Sequence, residues 1–134
     1  MVRNKIIPFI TLLFLIASCT DDDNTPGTSP PTDERNRFTG TWLCTETGSP
    51  TPFTITISLH GTEDSLYIDN FGGYGSSADA LALVSGNSLT IPGQNISVTS
   101  IFVQGSGVLN SQGTQITMNY IADTDTIAAT CTKN

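Results

Sequence analysis

Few residues of this chain are of types that do chemistry, and their spacing limits what each can do. His60 is the single histidine. Ser58, Asp64 and Ser65 stand close by, so a Ser-His-Asp arrangement can be written. Ser-rich strands offer such triples freely, however, and no strained turn that would expose a nucleophile is visible. His60 reads instead as an exposed residue at a strand end. Paired carboxylates for glycoside hydrolysis would have to project from opposing walls. Glu46 is the one acid sharing a strand face with apolar neighbours (Trp42 and Cys44), yet it lies near enough to the strand end to be solvated, which is the favoured reading. An enzyme would need Glu46 or His60 within hydrogen-bond reach of another titratable group. Asp123-Thr124-Asp125 could touch a calcium ion, but between two strands it reads first as a hairpin turn. Asn70-Phe71-Gly72-Gly73-Tyr74-Gly75 sets two aromatics among glycines, which suits either a lid that stacks on a ligand or a plain connection tucked against a rim. No Lys follows it, so it is not a phosphate-binding loop.

The elements that must position these residues are strands. Phe53, Ile55, Ile57 and Leu59 alternate with Thr54, Thr56, Ser58 and His60, the period of two that a half-buried strand requires. Further strands are expected over Gly40–Thr47, Ser65–Phe71, Asp79–Val84, Ser88–Ile91, Ile96–Leu109 (one bent strand or two), Gln115–Ala122 and Thr126–Lys133. Breakers separate them, among them Gly48-Ser49-Pro50, Pro92-Gly93 and Ser111-Gln112-Gly113. Ala78, Ala80 and Ala82 also fit a short helix, but strand is preferred there. Short sequential strands with tight turns form an antiparallel meander, packed as a sandwich or closed as a barrel. Gly105 and Gly107 suggest a bulge or sharp bend. The expected interior is Phe53, Ile55, Ile57, Leu59, Leu66, Ile68, Ile116, Met118, Tyr120 and Ile127.

With 134 residues, a formal net charge of −7 and only 13% charged residues, the chain is one small domain with no basic surface for a phosphate backbone,. Nucleic acid is excluded as a partner. Arg3 and Lys5 precede an apolar run from Ile6 to Ala17, the charged and apolar regions of a secretory signal, too short for a comfortable membrane span. The run ends in Ile16-Ala17-Ser18-Cys19, which resembles the bacterial lipobox. That resemblance implies cleavage after residue 18 and acylation of Cys19, whose chains anchor the protein at about 0.8 kcal/mol per buried CH₂. The alternative is an incidental thiol in an ordinary signal. Without residues 1–18, three basic residues (Arg35, Arg37, Lys133) face twelve acidic ones, a formal charge near −9.

Asp21, Asp22 and Asp23 follow the cysteine and resemble the surface-export signal of Bacteroidetes lipoproteins. They lack the alternating ligands and Gly turn of a calcium loop. Residues 24–37, rich in Thr, Pro, Ser and charge, read with 19–23 as a tether of a few nanometres to a domain at 38–134.

Gly40-Thr41-Trp42 on the first strand resembles the Gly-x-Trp signature of lipocalins, and the segment from Phe38 to Asn134 resembles the small lipocalin-like domains of Bacteroidetes lipoproteins. The resemblance implies an all-β fold, a single small up-and-down antiparallel barrel of about eight strands, with Trp42 closing one end. Cys44 and Cys131 bear on this independently. First and last strands are neighbours in a closed meander, so a disulfide is available there, and an oxidising envelope favours it over two buried thiols. With both cysteines so used, His60 lacks partners for a zinc site. Neither metal nor cofactor is expected.

The leading expectation is a surface-exposed outer-membrane lipoprotein, held by its lipid, that binds a small apolar ligand without catalysis. Trp42, Phe71, Tyr74 and Tyr120 are the candidate contacts. The alternative is a filled barrel serving as an extracellular protein- or glycan-interaction module, including an enzyme inhibitor.

Overall fold

A computed structural model describes residues 32–61, 63–96 and 100–134. The signal segment, Cys19 and Asp21 to Asp23 lie outside the described residues. Eight strands follow in order: β1 (Gly40–Glu46), β2 (Phe53–Leu59), β3 (Ser65–Asp69), β4 (Ala80–Ser85), β5 (Ser88–Asn95), β6 (Phe102–Leu109), β7 (Gln115–Ala122) and β8 (Asp125–Lys133). Each pairs antiparallel with the next, and β8 pairs back onto β1, closing the barrel. Closure removes the free edges that an open sheet would expose.

The alternation that marks the strands is the alternation of the wall. In β7, Ile116, Met118, Tyr120 and Ala122 are buried while Gln115, Thr117, Asn119 and Ile121 face outward, as successive side chains on a pleated strand must. The expected interior is buried at Ile55, Ile57, Leu66, Ile68, Ile116, Met118 and Tyr120, and Phe53 and Ile127 are half-buried against it. Leu59 is a correction. As the last residue of β2 it is 45% exposed, because the inward direction there points past the end of the core.

A glycine and proline expectation is also corrected. Pro92-Gly93 does not end β5, which continues to Asn95 with its register against β6 shifting between Ile91 and Gln94. A proline is tolerated where a bulge has already interrupted the ladder. Along β4 the ladder to β5 covers only Leu83 to Ser85, and the Gln94 side chain extends it. Its Oε1 accepts from Leu81 N at 2.8 Å and its Nε2 donates to Leu81 O at 2.8 Å, replacing a peptide group with an amide. The bulge expected near Gly105 lies on the facing strand: Ile91 pairs with Gly105 and Gln94 with Val103, so Pro92 and Gly93 stand opposite Gln104 alone, while β6 and β7 pair without interruption from Val103 to Leu109. Gly105 itself permits close approach: a Cβ there would lie 2.5 Å from both Asn119 O and Tyr120 Cβ.

Residues 34–37, read from composition as tether, form a 3₁₀ turn on one end of the barrel. Asp33 caps it, accepting from Arg35 N at 3.0 Å. The buried Arg35 guanidinium pairs with Asp33 (Nη2 to Oδ2, 2.6 Å) and donates from Nη1 to the carbonyls of His60, Gly61 and Ser65 at 3.2 to 3.3 Å. Phe38 and Trp42 lie fully buried beneath this turn, with Trp42 Nε1 donating to Phe38 O at 2.8 Å. Lys133, on the last strand, places Nζ 5.1 Å from the Trp42 ring centroid and donates to Arg37 O at 3.1 Å. Trp42 thus closes one end of the interior.

Cys44 and Cys131 face each other across β1 and β8, Cα to Cα 3.9 Å, joined by a disulfide that spans 87 residues. In the chain-entropy account a loop of this length contributes about 4 kcal/mol. Replacing both cysteines with alanine should therefore lower the unfolding free energy by about 3–5 kcal/mol in urea titrations. An unchanged midpoint would show that strand pairing alone closes the barrel.

Candidate functional site

The charges of the domain are sorted to its two ends. Within the strands, Asp, Glu, Lys and Arg occur only at first or last positions (Glu46, Asp69, Asp125, Lys133), and the rest lie in turns. Arg35, Arg37 and Lys133 gather at the end covered by the 3₁₀ turn, together with Asp33, Glu34, Glu63 and Asp64. The opposite end holds Glu46, Asp69, Asp79, Asp123 and Asp125, and among the described residues no basic one. The wall between is neutral, its outward positions being mainly Thr, Ser, Asn and Gln.

At the acidic end the β3–β4 loop folds over the barrel mouth. Asn70 adopts a left-handed backbone (φ 57°) and pins the loop, its Nδ2 donating to Thr54 O at 2.7 Å and its Oδ1 accepting from Gly75 N at 2.7 Å. Phe71 is fully buried and packs on Tyr120, ring centroids 4.8 Å apart and planes tilted by 58°. Glycine is required beside it because the loop lies directly on aromatic rings. A Cβ at Gly72 would come within 2.6 Å of the Tyr74 ring, and one at Gly73 within 3.0 Å of Phe53. Of the two forms open to this loop, the structure has it tucked against the rim, with Phe71 as the plug and Tyr74 half-buried.

Beneath the plug the Tyr120 hydroxyl donates to Glu46 Oε1. Burial raises the Tyr120 phenol well above its ordinary range, and the Glu46 hydrogen bond and charge push it the same way,. Tyr74 is raised by burial and then by the charges of Glu46, Asp123 and Asp125. Burial, and then neighbouring Asp69, raise the Asp79 carboxyl. Glu46 does reach a titratable group, but that group holds its proton throughout the neutral range, so the pair serves as a fixed hydrogen bond across the mouth. His60 is half-buried and stacks on Tyr67 with centroids 3.9 Å apart. Its ring makes no hydrogen bond to Ser58, Asp64 or Ser65. Among the described residues no group of three or more His, Cys, Asp or Glu could hold a metal ion.

The interior itself is occupied by side chains along its length. Phe38 and Trp42 fill one end, Ile55, Ile57, Leu66, Ile68, Leu89, Ile91, Ile116 and Met118 are buried between, and Tyr120 and Phe71 fill the other end. A concavity lies on the outside. An open groove of about 360 Å³ crosses β6, β7 and β8, lined by Gln104, Gly105, Ser106, Asn119, Tyr120, Ile121 and Thr126. Register sets Gln104 beside Ile121 and Ile121 beside Thr126. No protein-family model matches this chain, and no curated protein is detectably similar to it.

Sequence reasoning did not single out Arg35, Gln94 or, among the groove residues, Gln104, Ser106, Asn119, Ile121 and Thr126. Arg35 was masked by a Pro- and Thr-rich surrounding. Asn119 and Gln104 carry only the signal of outward alternation, which every strand shares.

The buried phenol gives the domain an alkaline limb. Unfolded tyrosine ionises near pH 10, whereas folded Tyr120 keeps its proton beyond that. Above about pH 10 the unfolded state binds fewer protons than the native one, so stability falls. Tyr120→Phe should cost about 1–2 kcal/mol at pH 7, leaving Glu46 without its donor, and should flatten the stability loss between about pH 10 and 12. Parallel alkaline limbs in urea titrations of the two proteins would assign that limb to other groups.

Proposed function

We propose that this protein is a lipid-anchored, non-enzymatic interaction module of the outer membrane, exposed at the cell surface, whose barrel is a filled lipocalin-like scaffold of the kind carried by Bacteroidetes lipoproteins. The observation that carries the reading is the occupied interior. With Trp42 and Phe38 filling one end and Phe71 on Tyr120 filling the other, an apolar ligand would have to displace the core, at a cost of several kcal/mol for each large side chain moved,. Binding then belongs to the outer surface.

The anchoring part of the proposal rests on the Ile16-Ala17-Ser18-Cys19 motif and the acidic Asp21 to Asp23 that follow it. The chain enters the domain at Thr32, beside the 3₁₀ turn.

Two measurements check these parts separately. Native mass spectrometry of the protein purified from its host without organic extraction should give the covalent mass alone. A co-purifying apolar molecule in stoichiometric amount would overturn the filled-barrel reading. Cys19→Ala should move the protein from the membrane fraction to the soluble fraction of fractionated cells, and retention in the membrane would overturn the lipid anchor.

A further inference from the structure

We infer that the outer groove of β6, β7 and β8 is a binding site for a neutral glycan. This deepens the interaction-module reading and rests on it. The groove brings four uncharged hydrogen-bonding side chains, Gln104, Ser106, Asn119 and Thr126, to one shallow concavity of about 360 Å³. None of the four makes a side-chain hydrogen bond within the described part of the molecule, so their two amides and two hydroxyls are all free for a ligand. Ile121, 40% exposed, supplies an apolar patch between them.

The chemistry of the lining selects the ligand class. Amides and hydroxyls both donate and accept, which matches the mixed donor and acceptor character of sugar hydroxyls. The exposed Ile121 offers a surface for the C–H face of a pyranose ring. A phosphate, sulfate or carboxylate ligand would meet no cation here, since the arginines and Lys133 lie at strand ends or in turns at the 3₁₀ end, away from this wall,. An extended peptide would need an unpaired strand edge to add to, and the closed barrel has none,. What remains is recognition by neutral side chains alone.

The two strands that carry most of the lining pack closely. Gly105 lets β6 close onto β7 at Asn119 and Tyr120, where a Cβ would collide at 2.5 Å. On the outer face Gln104 and Ser106 flank this position, with Asn119 opposite Ser106 on β7. Beyond the groove, Thr117 and Thr130 continue the neutral surface across β7 and β8, so a chain of several sugar residues has an uncharged track. The outward aromatics Phe102 and Tyr67 do not line the groove, so affinity per sugar is low, with a dissociation constant of about 1 mM.

The test is saturation-transfer NMR on the full lipidated protein in lauryldimethylamine oxide micelles, a detergent that carries no sugar. The probes are neutral hexaoses built from glucose, galactose, mannose or xylose, each at about 5 mM to suit so weak a site. At least one should show transfer. Gln104→Ala combined with Asn119→Ala should reduce that transfer at least about fivefold, as loss of two hydrogen-bonding side chains implies. Thr41→Ala, an outward residue of β1, should leave it unchanged. Absence of transfer from every probe, or equal transfer in the double variant, overturns the assignment. Both substituted residues are exposed, so the variants keep the fold, and their circular dichroism confirms it. Failure here leaves the mass of the purified protein to decide the filled-barrel reading on its own.

Discussion

The pairing of β1 with β8 is the constraint on which the rest of the molecule depends. Without it the meander is an open sheet with two edges, and the inward residues of eight short strands have no opposing wall. Its cost is loop closure: chain segments nearly the whole domain apart must meet before any contact between them stabilises anything. The Cys44–Cys131 disulfide, in register at the middle of that seam, removes much of the cost by shrinking the unfolded ensemble. The same seam sets Lys133 over Trp42 and Asn134 N against Thr41 O at 3.0 Å, so closing the barrel and sealing its end are one event.

Each end of a closed barrel raises its own problem of unpaired polar groups and exposed core, and the two ends solve it differently. At the 3₁₀ end a guanidinium with five donors meets three carbonyls and a carboxylate, and burial is affordable because the charge is paired and its donors are used,. Arg35→Lys would keep the charge and lose the fork. At the acidic end the seal is aromatic, with Phe71 laid on Tyr120 and a single hydrogen bond from the phenol to Glu46. Burial is the main reason that Tyr74, Tyr120 and Asp79 are all shifted upward, and the carboxylates of that rim, which no cation among the described residues offsets, add to it: Glu46 at both tyrosines, Asp123 and Asp125 at Tyr74, and Asp69 at Asp79.

Much of this was legible in the residues. Period-two alternation marked β2, breakers set off the other strands, and the positions of Cys44 and Cys131 pointed to closure; Ile96–Leu109, read as one bent strand or two, is a single strand that begins at Phe102. What failed to show has a common physical reason, that it depended on contacts between distant segments. Leu59 has the alternation of a core residue, and only the length of the barrel leaves it exposed. Pro92-Gly93 has the composition of a turn, and only a bulge together with the Gln94 amide keeps β5 running through it. Arg35 sits in a stretch whose composition suits a tether, and its burial depends on carbonyls from a turn 25 to 30 residues away. Local pattern reports periodicity, and it cannot report a partner.

Gly105 of β6 shows how a single backbone requirement follows from the seal of one barrel end. Glycine at 105 costs strand stability through lost side-chain packing and greater unfolded-state freedom. The cost is accepted because Tyr120, the residue that seals the acidic end, needs the space a side chain would take. A side chain at 105 would share the inward face of Val103 and Leu109 and press on Tyr120, so the sealing of the acidic end depends on the backbone of β6 as well as on the rings that plug it.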